Sequence, residues 1–224
     1  MKFGKIDYIN LLPFHIFIKR YPTPGHFKKF IELKKSYPAK LNREFLFRRI
    51  DAGFISSIAG RGKRCSCAGI VAKNRVLSVL AIPQKEGSDY QSATSNALLK
   101  VLSLKGQVLI GDRALHYYLT HQGECVDMGE VWNRRHHLPF VFAKFCYNRY
   151  GEFYERIARK FAQQKIFIPH YILKEYEKRT QIARKDILFY LRHISYKIDM
   201  KAKKGLKRFY RALDEKRIRA PRRF

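Results

Sequence analysis

Small polar residues stand in this chain where apolar runs stop. Asn10 follows the apolar positions of KIDYI, Ser56 and Ser57 follow Phe54 and Ile55 in DAGFISSIAG, and Asp112 follows VLIG. Thr94, Ser95 and Asn96 stand directly before an apolar stretch that runs from Ala97 to Leu104. Amides and hydroxyls of this kind orient a ligand, bind an anion or hydrogen-bond a leaving group; they are weak acids and weaker bases. Taken singly, each has an ordinary reading, since a lone Asn at a strand end makes turns and a helix start needs a cap.

Stronger chemical groups are not arranged for use. The stretch AGRGK at 59–63 lacks the Ser or Thr after Lys and the full glycine spacing of a phosphate loop. His136 and His137 are adjacent, so their side chains diverge on a helix or a strand alike, and His15, His26, His121, His170 and His193 are scattered. No metal, no cofactor and no protein acid/base pair is expected. Of Cys65, Cys67, Cys125 and Cys146, only the C-S-C stretch resembles half of a zinc site, so free thiols in a reducing cytosol are the expectation.

The elements that would hold these residues alternate between strand and helix. Phe3–Ile9 reads as a buried strand, after which Pro13 opens a helix. PTPG at 22–25 breaks the chain, Lys28–Ser36 and Pro38–Arg49 have helical periodicity, and Phe54–Ile55 is a short strand. RVLSVLAIP at 75–83 reads as one buried strand, Val108–Ile110 as another, and LPFVFAKFCY at 138–147 as a third. Thr94, Ser95 and Asn96 cap the helix between the first two. From Tyr150 onward the pattern is helical. This order predicts an α/β fold with a parallel sheet, in which ligands bind beyond the carboxyl ends of strands.

The 224 residues, 46% hydrophobic, suffice for one large domain or two small lobes. The formal charge of +29 suggests a polyanion partner, but the excess is spread along the chain: residues 151–224 hold 22 Lys and Arg against 8 Asp and Glu. The N-terminus lacks the apolar core of a secretory signal and no run is long enough to span a bilayer, so a cytoplasmic protein is expected.

Read together, KIDYINLLPF, DAGFISSIAG, RVLSVLAIP, SATSNALLKVL, VLIGDRAL, DMGEVWNRRHHLPFVFAKF and GLKRFYRAL follow the order found in one family. The chain resembles the chorismate dehydratases of the futalosine route to menaquinone over nearly its whole length. Asp7, Leu77 and Ala59 depart from the residue types usual there.

The resemblance implies a two-lobed fold like the type 2 periplasmic solute-binding proteins, with a helical C-terminal segment. Residues 1–78 and 141–224 would form one lobe and 79–140 the other, joined by two crossing strands, with the active site in the cleft. It implies chorismate as the substrate and Asn10 and Ser78 as catalytic positions. Ser56 and Ser57 would then take one substrate carboxylate, and Thr94, Ser95 and Asn96 the other. Asp112 would tie down a loop, Trp132 would pack in the core, and Asp127 and Glu130 would cap a helix.

Rival readings are the related dihydroxynaphthoate-forming enzyme, a basic nucleic-acid-binding protein served by Lys201–Arg223, and a non-catalytic solute-binding module. No nucleic acid and no membrane is expected as a partner, and the sequence leaves monomer or dimer open.

Overall fold

The computed structural model describes residues 1–22, 34–83, 87–121 and 123–221. Most of the PTPG break and most of the helix expected over Lys28–Ser36 lie outside them.

Two sheets organise the chain. The larger contains β1 (Phe3–Gly4), β2 (Ala52–Ser56), β7 (Phe140–Tyr147), β3 (Cys65–Ala72) and β8 (Ile194–Lys197), in that spatial order. The smaller places β4 (Val79–Ile82) between β5 (Gln107–Ile110) and β6 (Val126–Asp127). Among these pairs only β1–β2 is parallel. The expected parallel sheet is therefore wrong. A parallel pair needs a helical crossover, and α1 (Leu12–Arg20) and α2 (Pro38–Leu46) supply one between β1 and β2; a helix between consecutive strands is not sufficient, since β4 and β5 also enclose one and are antiparallel.

Several expected elements change on contact with tertiary structure. The first strand stops at Gly4 rather than Ile9, and a 3-10 turn over Ile9–Leu11 leads into α1, so Asn10 heads a helix. The chain is turned there by Asp7, which pairs with Lys35 at 2.5 Å and Arg179 at 2.7 Å. The strand expected over 75–83 is confined to Val79–Ile82. Leu77 has a φ of +58°, and the buried Asp127 carboxylate accepts from Val76 N at 3.0 Å and Leu77 N at 2.7 Å. That clasp stands in for a ladder up to Leu77, and pairing resumes at Ser78, whose carbonyl accepts from Gly111 N at 3.0 Å.

α3 (Ala93–Val101) is capped by Ser92, whose Oγ accepts from Ser95 N, so Thr94, Ser95 and Asn96 form the first turn and not the cap. α4 (Gly111–Thr120) follows β5, and α5 (Met128–His136) is capped by Asp127 as expected. The C-terminal portion holds α6 (Gly151–Gln163), α7 (His170–Thr180), α8 (Arg184–Arg192) and α9 (Met200–Glu215), but β8 interrupts the helices and completes the larger sheet.

The free-thiol expectation fails for two cysteines. Cys65 and Cys146 face each other in the β3–β7 ladder and are joined by a disulfide, while Cys67 and Cys125 are free. They lie 81 positions apart, so spacing could not reveal the pairing.

The core is aromatic. Phe14 of α1 meets Phe54 and Phe161 edge-on, both with ring centres 5.0 Å away. Trp132, fully buried, meets Phe140 at 5.1 Å, and Phe209 of α9 closes on Phe140 at 4.9 Å. Gly205 lets α9 lie against the backbone here, since a Cβ would sit 2.1 Å from the Pro139 carbonyl oxygen. The basic segment after Lys201 is thus an amphipathic helix with its apolar face in the core. Among the described residues no helix is long and apolar enough to cross a membrane.

Candidate active site

A cavity lies between the two sheets. The side of the larger sheet contributes Asn10 and Ser56, with Phe54, Ile70 and Phe142 as apolar wall, and the side of the smaller contributes Ser78, just before β4, with Ser92, Ser95, Ile110 and Gly111. Among the described residues its lining contains no Asp, Glu, Lys, Arg or His; Tyr8 is its one ionisable side chain. Burial and then the nearby Asp89 push the Tyr8 phenol well above its ordinary range, so it is neutral, and its hydroxyl donates to Gln91 Oε1.

Three serines of the lining share one arrangement. Ser56 Oγ accepts from Asn42 Nδ2 at 2.8 Å, Ser78 Oγ accepts from the Tyr190 hydroxyl at 2.7 Å, and Ser95 Oγ accepts from the Ser92 hydroxyl at 2.8 Å. A hydroxyl that already accepts from the protein keeps its own hydrogen for a ligand. Asn10 offers the complement: its Oδ1 is buried and has no hydrogen-bond partner. Its main chain is held by Tyr196, whose hydroxyl donates to the Asn10 carbonyl at 2.6 Å. The cavity therefore presents three hydroxyl donors, one amide acceptor and the N-terminal end of α3, a surface suited to oxygens and to negative charge.

Other residues singled out from sequence face elsewhere. Ser57 Oγ donates to the Val141 carbonyl at 2.5 Å and its backbone N–H to Phe142 O at 3.0 Å. The Ser56 N–H is likewise taken, by Asn42 Oδ1 at 3.0 Å, which leaves only the Ser56 hydroxyl for a ligand. Thr94 Oγ1 accepts from Ile58 N at 3.1 Å, and Asn96 staples the preceding loop through Asp89 N and O. None of Ser57, Thr94 and Asn96 lines the cavity. Asp112 ties down the turn that carries Asn10, accepting from Ile9 N at 2.8 Å. Burial, opposed by that hydrogen bond and by Arg179, pushes its carboxyl up to about 6. Asp7 goes the other way, because Lys35 and Arg179 outweigh its burial and hold it down to about 2.

Comparison with known proteins adds to this geometry. The signature of a menaquinone biosynthesis family matches residues 102–215. A chorismate dehydratase of Campylobacter jejuni subsp. jejuni is 47% identical over 216 residues, covering 95% of this chain and 97% of that protein. The chain belongs to the chorismate dehydratase family. A second chorismate dehydratase, from Thermus thermophilus, is 28% identical over 65% of this chain and 69% of its own length.

Solved structures place the fold. A protein of Archaeoglobus fulgidus superposes with a TM-score of 0.67 at 14% identity, covering 97% of both chains. The alkanesulfonate-binding protein of Xanthomonas axonopodis pv. citri, bound to MOPS, gives a TM-score of 0.56 at 12% identity, covering all of this chain and 94% of its own. This chorismate dehydratase family member is thus a mixed α/β protein with the two-lobed architecture of periplasmic binding proteins. The dihydroxynaphthoate-forming and nucleic-acid-binding readings are not favoured.

Sequence reasoning missed the residues that orient the serines. Asn42 is an amide between Leu41 and Phe45 on the buried face of α2, a signal in principle. Ser92, three residues before Ser95, has the spacing of a cap. Tyr190, one of two aromatics on α8, carries no local signal of what its hydroxyl meets.

Proposed function

We propose that this chain is a carbon–oxygen hydro-lyase that removes water from chorismate to give 3-[(1-carboxyvinyl)oxy]benzoate, the first step of the futalosine route to menaquinone. The observation that carries this reading is a donor and an acceptor in one cavity: the Ser78 hydroxyl with its hydrogen free, and the unpartnered, buried Oδ1 of Asn10. An alcohol needs one of each. The C4 hydroxyl of chorismate accepts from Ser78 and donates to Asn10, so departure of its oxygen with the bonding pair is assisted by the Ser78 donor.

The proton at C3 must go to a base, and the lining offers no carboxylate or imidazole. The substrate's own enolpyruvyl carboxylate, held beside C3, takes it, and the pair left behind closes the aromatic ring. Loss of the C3 proton and the C4 hydroxyl accounts for one water. The ring packs against Phe54, Ile70 and Phe142, and the carboxylates are met by the Ser56 and Ser95 hydroxyls and by the start of α3. We place the lobe boundaries near 78 and 140, where the chain passes between the sheets.

Asn10→Ala and Ser78→Ala, assayed by chorismate consumption and product identification, test the reading. Near wild-type turnover in both would sink it.

A further inference from the structure

We propose that Tyr190 is a positioning residue that sets the polarity of the Ser78–Asn10 pair. The proposal rests on the dehydratase reading and adds to it a residue from the far end of the chain.

Tyr190 is fully buried on α8, and its hydroxyl donates to Ser78 Oγ at 2.7 Å. Asn10 Oδ1, which lines the same cavity, is buried and has no partner. A phenol has one hydrogen to give and lone pairs to receive. By spending its hydrogen on Ser78 it leaves the serine a donor toward the cavity, and so a complement to the unpartnered Oδ1 acceptor of Asn10. Without it, the Ser78 hydrogen is no longer directed and the donor half of the pair is lost to the substrate hydroxyl. Burial keeps the phenol protonated throughout the neutral range, so this polarity does not reverse with pH.

The test is a double-mutant cycle of kcat and KM for wild type, Tyr190→Phe, Ser78→Ala and the double variant, with thermal midpoints recorded for each. Tyr190→Phe is expected to lower kcat about 10–100-fold with KM within about threefold, and to change kcat of Ser78→Ala by less than about threefold, because its effect runs through Ser78. A wild-type kcat in Tyr190→Phe, or the same fold-loss in both backgrounds, overturns the role. Near wild-type turnover by Ser78→Ala instead overturns the site reading beneath it.

If Tyr190→Phe does not fold, proton NMR of the wild type decides. The Tyr190 hydroxyl proton should exchange slowly and move upfield in Ser78→Ala; an unmoved resonance overturns the contact.

Discussion

Two regions of the cavity wall orient their hydroxyls by different means. Beside the strands, Ser56 is held by Asn42 across 14 positions and Ser78 by Tyr190 across 112. At the start of α3, Ser95 is held by Ser92, 3 residues earlier in the same helix start. Long-range support ties a group to the packing of the whole lobe, so its direction is set only when the fold is complete. Local support comes with the helix turn itself. In the proposed reaction the long-range arrangement serves Ser78, where a leaving hydroxyl tolerates little error, and the local one serves a carboxylate, whose two oxygens accept donors from several directions.

The largest expected effect falls where the chemistry is assigned. Ser78→Ala and Asn10→Ala should each lower kcat by about 100-fold or more, as for loss of a group that stabilises a departing oxygen. If either lowers only the affinity, measured by KM against kcat, the reacting end has been placed on the wrong side of the cavity.

Asn42 tests the long-range principle where no bond is broken. Asn42→Ala strands the Ser56 N–H in a buried site and should cost about 2–3 kcal/mol by urea denaturation. Asn42→Asp is the sharper change. A carboxylate can still accept from Ser56 N but cannot donate to Ser56 Oγ, so the serine hydrogen turns inward; KM should rise more than stability falls.

Asp112 adds a pH dependence with a definite sign. Its carboxyl is raised from 3.8 to about 6 in the fold, so the folded state holds the proton more tightly than the unfolded chain. The stability it contributes is full below the unfolded value and is lost as pH rises through about 6. Asp112→Asn, which keeps an acceptor for Ile9 N, should therefore gain up to about 2 kcal/mol relative to wild type at pH 7 and lose that advantage at pH 4, read by thermal or urea midpoints. Asp7 acts oppositely: its stabilising pair persists above its unfolded value and is lost as pH falls toward about 2.

The smallest effect should be at the locally supported region. Ser92→Ala removes a helix cap worth about 1 kcal/mol and frees the Ser95 hydroxyl, so KM should rise a few-fold with kcat nearly unchanged. A kcat loss as large as that of Ser78→Ala would erase the distinction between the two regions.

What could be read from sequence follows the same division. Asn10 and Ser56 were visible because each ends an apolar run, and the start of α3 because hydroxyls precede an apolar helix, though the cap is Ser92 and not Thr94–Asn96. The order of motifs carried the family. Invisible were contacts that depend on assembly. Helical spacing marks Tyr190 as buried but cannot say that its hydroxyl meets Ser78. The Leu77 kink depends on Asp127, about 50 positions away, and strand direction and the Cys65–Cys146 pairing depend on which segments β7 lies between.

The most direct test is to incubate the purified protein with chorismate and follow ring aromatisation by ultraviolet absorbance, identifying the product by NMR. Stoichiometric conversion to 3-[(1-carboxyvinyl)oxy]benzoate, slowed about 100-fold or more in Ser78→Ala, is predicted. Chorismate left intact by the folded wild type, or consumed equally fast by Ser78→Ala, would contradict the account.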